Sequence, residues 1–188
     1  MRNIWDYTKR NPMLLAGFVI LLGLLLFTTV GHFFINPEKF YTPTMELNRP
    51  PSAKHPFGTD AQGRDLLTGM VMGTGMTLEI GAIAGGIGLG AGIVLGFVAG
   101  YAGGIIDALI TSFIDVWLTI PSFLILILIS SMFKNSDISV TAMGLIVSIV
   151  SWAGPARSIR AQVLSMRERP FVMMAKLSGM STFDIILK

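Results

Sequence analysis

Four long apolar stretches constrain this chain more than any other feature of its sequence. A helix needs about 20 apolar residues to cross the hydrocarbon core of a bilayer, where every backbone amide and carbonyl must be paired. Charged residues make up only 13% of the chain, against about 25% in ordinary soluble domains, so the lipid bilayer must cover much of its surface. We therefore predict an all-α integral membrane protein with four spans, at Met13–Ile35, Thr77–Tyr101, Gly104–Phe133 and Ile138–Ala156.

Lysine and arginine residues predict the orientation of these spans. Of the 14 in the chain, nine lie before the first span or after the fourth, and five lie in the intervening loops on the other side. Because positive residues concentrate on the cytoplasmic side, both ends are predicted to be cytoplasmic. The first apolar stretch is not followed by a cleavage pattern, which predicts a retained helix. The predicted organisation is a cytoplasmic N-terminus at 1–12, a first span at 13–35, an external loop at 36–76, second to fourth spans at 77–156 and a cytoplasmic tail at 157–188.

Small and polar residues within the spans mark candidate packing and pathway positions. A four-residue spacing places Gly88, Gly92, Gly96 and Gly100 on one helix face, where a neighbouring backbone can approach closely. Asp107 and Asp115 share a face of the third span, and each is either a pathway residue or a structural carboxylate bonded to a neighbouring helix. Pro121 in the same span predicts a bend, which is either a gate or a fixed packing kink. The structural alternative is favoured for all three.

Several classes of function are excluded or disfavoured. The chain has no cysteine, and no lysine follows a glycine, so it has neither thiolate chemistry nor the G-K-[ST] loop of an ATPase. His32 and His55 are the only histidines, and they do not predict a metal site. The 12 methionines are interpreted as packing residues. The basic balance is typical of membrane topology signals, so no nucleic-acid partner is predicted.

The cytoplasmic tail has the pattern of two short helices separated by a glycine. Pro170 suits a first helical position, Gly179 ends the run, and Ser181 can cap a second helix with Asp184 three residues later. This shape suits docking into a groove of another protein, although an amphipathic surface segment is the alternative. Residues of the predicted contact are Phe171, Val172, Met173, Met174, Ala175, Gly179, Ser181 and Asp184.

Ordered motifs run along nearly the whole chain. An external signature is His55-Pro56-Phe57-Gly58-Thr59-Asp60 followed by Gly63-Arg64-Asp65. Further motif positions are Ala99-Gly100-Tyr101, Gly103-Gly104, Asp107, Asp115, Pro121, Trp152, Ala156-Arg157 and Arg160, and the tail adds Phe171-Val172, Ala175 and Gly179. Together these motifs resemble the dipeptide/oligopeptide/nickel ABC-transporter permeases, and specifically the second, C-type subunit of the pair. The tail residues match that family's ATPase-coupling (EAA) loop.

The resemblance implies a type I ABC-importer transmembrane domain, with four of the usual six spans present and the chain stopping inside the coupling loop. It also implies a bacterial inner (plasma) membrane location and three kinds of partner: a homologous permease, two cytoplasmic ATPases that hold ATP and Mg, and an external substrate-binding protein. No cofactor is expected in this chain, which is predicted to be a transport subunit and not an enzyme. Dipeptides, oligopeptides, nickel complexes and other small solutes all remain open as cargo.

The chain departs from the family pattern at several positions. Met173-Met174-Ala175 replaces the usual Glu-Ala-Ala, while Gly69, Gly75 and Ser112 replace common arginines.

Two rival functions stay open. One is an ion-coupled channel or secondary transporter that uses Asp115, and the other is a non-transporting membrane scaffold. For the external signature we predict a structural role, with the Asp60 and Arg64 side chains bonded within the protein.

Overall fold

The computed structural model describes residues 11–41, 47–133, 138–181 and 184–185, and within them it is all-helical, with a single isolated β-bridge and no strand. The predicted N-terminus at 1–12 lies outside the described residues except for its last two. The named helices are α1 (Pro12–Phe34), α2 (Glu38–Tyr41), α3 (Leu66–Ala102), α4 (Gly104–Thr119), α5 (Ser122–Met132), α6 (Val140–Ser151), α7 (Ala153–Arg167) and α8 (Pro170–Leu177).

Two of these helices, α1 and α3, are long and apolar enough to cross a membrane by themselves. The pairs α4–α5 and α6–α7 also qualify if each bent pair is counted as one span, which gives up to four spans. Within α1 no residue is buried, and Pro12 occupies its start, where a missing N–H costs nothing. A helix that is apolar on every face and left unburied by the described residues is one that lipid solvates.

The helix α3 begins at Leu66, well before the predicted start at Thr77. Asp65 explains the difference, because its Oδ1 accepts a hydrogen bond from the Thr68 amide at 2.8 Å and so caps the first turn. The predicted external loop at 36–76 therefore ends in helix.

The predicted third and fourth spans are each broken. Pro121 separates α4 from α5, with an angle of 74° between their axes, and Ile120 before it is extended, as the proline ring requires. A second break of 44° lies at Trp152, between α6 and α7. Pro155 has no N–H to donate to the carbonyl of Ser151 one turn earlier, and this interrupts the helix. The predicted fourth span, Ile138–Ala156, runs across this break.

The described residues form two compact units, which lie within 1–78 and 79–188. In the first unit, Gly31 of α1 lies against Val71 of α3, whose side chain would be 2.8 Å from a Cβ at the glycine. The second unit contains the packed core, in which Ile114 of α4 meets Ala153 and Ala156 of α7. Partly buried apolar residues surround that core: Leu95, Ile110, Trp117 and Trp152.

The glycine row of α3 lies in this second unit and packs against α6 and α7. A Cβ at Gly92 would be 2.7 Å from the carbonyl oxygen of Trp152, and one at Gly100 would be 3.0 Å from that of Arg160. Gly88 lies beside Ser151 and Gly96 beside Ala156. The close neighbour of the row is thus a helix pair of this chain, which the sequence spacing alone did not identify.

Candidate functional site

An ion pair joins the start of α4 to the middle of α7. The Arg160 Nε donates to Asp107 Oδ1 at 2.5 Å and its Nη2 donates to Oδ2 at 2.7 Å, which is a bidentate arrangement. The Thr111 hydroxyl, one turn later on α4, donates to the same Oδ1 at 3.1 Å. Both charged side chains are largely shielded, with 26% of Arg160 and 17% of Asp107 exposed. Such forked pairs fix geometry as well as charge.

A second pair repeats this contact two turns farther along α4. Arg157 Nη2 donates to Asp115 Oδ1, and here both side chains are about half exposed. Asp107 and Asp115 lie eight residues apart on α4, while Arg157 and Arg160 lie three apart on α7, so each pair of like charges occupies one face. We name Asp107, Asp115, Arg157 and Arg160 the ion-pair bridge.

Both carboxylates therefore have arginine partners on a neighbouring helix. Sequence reasoning treated Arg157 and Arg160 only as topology signals and family matches, and it did not pair them with the aspartates. Their opposite charge and matching helical spacing were the signals that could have suggested the pairing.

An aromatic cluster also joins α4 to the break between α6 and α7. The rings of Phe113 and Trp152 stack with their centroids 5.5 Å apart, and the Trp117 ring centroid lies 5.7 Å from that of Trp152.

The tail helix α8 presents an apolar surface that the described residues leave exposed. Val172 is buried, but Phe171, Met173, Met174 and Leu177 are between 57% and 83% exposed. Pro170 occupies the first turn, as predicted. In a membrane protein such a short exposed apolar helix, carrying Lys176 near its end, is a surface suited to contact with another protein.

A glycine motif ends α8. Gly179 has a φ of +76°, which side chains rarely tolerate. Its amide donates to the Lys176 carbonyl at 3.0 Å, and the Met180 amide donates to the Ala175 carbonyl at 3.1 Å, which together form a Schellman motif. After it, the Ser181 hydroxyl accepts from the Asp184 amide at 3.2 Å and donates to its carboxylate at 2.6 Å. Residues 182–183 between them lie outside the described residues.

The external signature folds around a buried histidine–aspartate pair. His55 is only 1% exposed, and its Nδ1 lies 2.7 Å from Asp65 Oδ2. The other carboxylate oxygen, Oδ1, accepts from both the amide and the hydroxyl of Thr68, at 2.8 and 2.9 Å. Burial raises the pKa of Asp65, but the Thr68 amide, His55 and the Thr68 hydroxyl lower it by more, so the pKa lies below its ordinary value of 3.8.

The pairing of His55 with Asp65 was not predicted from the sequence. The segment returns on itself because Gly58 and Gly63 have φ values of +78° and +77°, and a bridge pairs Thr59 with Asp65. The amide of Gly58 donates to the His55 carbonyl at 2.9 Å, in the turn that Pro56 shares. The signature thus brings together residues ten positions apart in the chain.

The Asp60 and Arg64 side chains both have partners inside this segment's own unit. Asp60 Oδ1 accepts from the amides of Arg64 and Gln62 at 2.9 and 2.8 Å, and the Arg64 hydrogen bond holds the pKa of this carboxyl below its ordinary value. The Arg64 guanidinium lies 5.2 Å from the centre of the Phe40 ring, which is a cation–π contact. Within the described residues, no group of three or more metal-ligating side chains is found.

Comparison with known proteins gives a consistent result. The family model described as "Binding-protein-dependent transport system inner membrane component" matches residues 92–188. The dipeptide transport system permease protein DppC of Bacillus subtilis is 35% identical over 191 aligned residues, covering 100% of this chain and 58% of the relative. The oligopeptide transport system permease protein OppC is 34% identical in Salmonella typhimurium and 31% identical in Escherichia coli K12, each covering 100% of this chain and 63% of the relative. This chain therefore spans about three fifths of the length of these relatives.

Proposed function

This chain belongs to the family of binding-protein-dependent transport system inner membrane components, and from that premise we propose that it is a permease subunit of an ATP-driven importer of peptides. The observation that carries the proposal is the family match over residues 92–188, which includes the exposed apolar helix α8. The names of the DppC and OppC relatives support peptides as the cargo class. Among those relatives nothing supports nickel.

The proposed assembly places the chemistry on other subunits. Two cytoplasmic ATPases would bind ATP with Mg, an external binding protein would deliver the peptide, and a homologous permease would complete the pathway. This chain would span the inner membrane with its N-terminus in the cytoplasm and carry no cofactor of its own. It is a transport subunit and not an enzyme, in agreement with the permease relatives.

Residues of α8 would form the contact with an ATPase. Phe171, Met173 and Met174 offer apolar side chains that can enter a groove, while the Schellman motif at Gly179 fixes the exit of the chain from the helix. The family's usual glutamate is a methionine here, so apolar burial and not an acid contact would supply the affinity.

Movement of α8 would reach the spans through α7. The ion-pair bridge ties α7 to α4, so a shift of α7 would carry the Asp107 end of α4 with it. ATP binding and release would then favour two different arrangements of the helices, which is what alternating access requires. The external signature would keep a structural role at the entry to α3, since its polar side chains are already bonded within the protein.

The full-length protein, purified with its permease partner and ATPases and placed in lipid vesicles with the binding protein, tests this function. Labelled di- and oligopeptides should accumulate only when ATP is supplied to the ATPase side. Uptake that survives ATP depletion and collapses with a proton or sodium gradient would favour ion-coupled transport instead. Absence of uptake under both conditions, despite a stable complex, would favour the scaffold.

A further inference from the structure

The C-terminal end of α3 is held by two cations from the α7–α8 region. Arg167, the last residue of α7, donates from Nη1 to the carbonyl oxygens of Gly100 and Tyr101 at 3.3 and 3.5 Å. The ammonium of Lys176 on α8 lies 5.8 Å from the centre of the Tyr101 ring. Cations are favoured at a helix C-terminus, where unpaired carbonyls concentrate negative charge.

The turn that follows α3 contains two adjacent glycines. Gly103 and Gly104 are consecutive left-handed residues, with φ values of +66° and +55°. A Cβ at Gly103 would lie 3.3 Å from the Arg167 guanidinium, so the turn leaves room for that side chain. The Tyr101 ring is itself fixed by stacking on Phe97 one turn earlier, with 5.8 Å between the ring centres. We name Tyr101, Gly103, Arg167 and Lys176 the α3 junction.

We propose that Lys176 and Tyr101 are positioning residues through which displacement of α8 is passed directly to the C-terminal end of α3. This inference rests on the proposed function and adds a second route of coupling beside the ion-pair bridge, which leads to α4. Lys176 lies on the same short helix as the exposed apolar side chains, so a partner that moves those side chains also moves the ammonium. Tyr101 receives that motion because its ring is already held on α3, and Arg167 keeps the helix end and the α7 end together.

Two features suit the α3 junction to passing a displacement of α8 on to α3, and not only to stabilising the fold. Lys176 is exposed, so its contact with the ring contributes little to folding and can break and re-form. The two left-handed glycines concentrate the bend between α3 and α4 at one point, where small rotations reorient both helices.

The experiment compares variants of the complete, reconstituted transporter by the number of peptides imported per ATP hydrolysed. Lys176→Gln and Tyr101→Leu each remove one side of the contact and should lower that ratio about two- to fivefold, because ATP hydrolysis continues without import. Lys176→Arg and Tyr101→Phe keep a cation and an aromatic face, and both should restore the ratio to nearly the parent value. The double variant Lys176→Gln/Tyr101→Leu should be no worse than the single ones, since both lose the same contact.

Arg169→Gln is the matched control. It removes a positive charge from the start of the same segment, and among the described residues its side chain makes no hydrogen bond, ion pair or cation–π contact with α3, so the ratio should stay at the parent value. A parent ratio in Lys176→Gln, or an Arg replacement as defective as Gln, would overturn the junction while leaving peptide transport intact. No ATP-dependent uptake by the parent complex would overturn the proposed function, and the junction with it.

Discussion

The imidazole Nδ1 of His55 lies 2.7 Å from the Oδ2 of Asp65, and both side chains are almost completely buried. The same carboxylate caps α3 through the Thr68 amide. One aspartate therefore joins the fold of the external segment to the start of a 37-residue helix. Loss of this carboxylate should affect the entry of the chain into α3 more than it affects any binding step.

Asp65→Asn is expected to destabilise the protein and reduce its abundance in the membrane. The asparagine can still cap the helix through its oxygen, but it weakens the hydrogen bond with buried His55, at a cost of about 1–3 kcal/mol. Thermal unfolding in detergent and quantitative membrane immunoblots measure both effects. Asp60→Ala, in the same segment but at a more exposed position, is the control and should lower abundance less. Normal abundance in Asp65→Asn combined with altered peptide preference would instead make the segment a substrate-handling element.

The same carboxyl predicts a pH dependence of stability. The folded-state pKa of Asp65 lies below the value of 3.8 that applies when the chain is unfolded, so its stabilising contribution is complete above that pH. The contribution is lost as the pH falls through the folded-state pKa. Between pH 5 and 3, the melting temperature of the parent should fall more steeply than that of Asp65→Asn, and parallel slopes would contradict this assignment.

The two aspartates of the ion-pair bridge should differ in importance. Asp107→Asn breaks a forked, largely shielded pair and should cost about 1.5–3 kcal/mol, seen as a lower melting temperature of the purified complex. Asp115→Asn breaks a pair that is half exposed, and the effect should be clearly smaller. The exchanged pair Asp107→Arg/Arg160→Asp should recover part of the loss. Equal effects of the two single variants would indicate that burial does not set the strength of these pairs.

Gly92→Leu should impair assembly of the helices in the second unit. Its Cβ alone would lie 2.7 Å from Pro155 and from the Trp152 carbonyl, so α3 and α7 would be forced apart at a cost of about 1–3 kcal/mol. Gly90→Leu is a close control on the same helix, because nothing lies within 4 Å of a Cβ there. Co-purification with the partner subunits and melting temperature distinguish them. A Gly90→Leu variant as defective as Gly92→Leu would point to a packing surface between subunits.

Gly179→Val should uncouple ATP hydrolysis from uptake while the protein stays in the membrane. The space around Gly179 is open, so the penalty comes from its φ of +76°, and forcing a β-branched residue there costs about 1–2 kcal/mol or shifts the chain after α8. Gly179→Asn accepts this backbone more readily and should retain most of the coupling. The ratio of ATP hydrolysed to peptide imported is the measurement, and normal coupling in the valine variant would remove α8 from the ATPase contact.

The sequence alone determined that this is a membrane protein, that it is helical, and where the residues that bend, end or cap its helices lie. Long apolar runs can only be helices when lipid surrounds them, and Gly179, Pro121 and Ser181 act through local backbone geometry that neighbouring residues specify. The resemblance to peptide and nickel permeases was readable because its motifs are linear. The start of α3 at Leu66 and the break at Trp152 were not predicted, although Asp65-x-x-Thr68 and Pro155 are local signals for them.

The tertiary structure alone decided which residues meet. Asp107 with Arg160 and Asp115 with Arg157 are separated by 53 and 42 positions, and no local rule pairs them. The glycine row predicted a close neighbour without naming it, since a strip of small residues accepts many backbones equally well. Lys176 reaches Tyr101 only because two left-handed glycines and the course of α7 return the chain to the end of α3. Periodicity fixes the face that a residue occupies, but the partner of that face depends on how every helix packs.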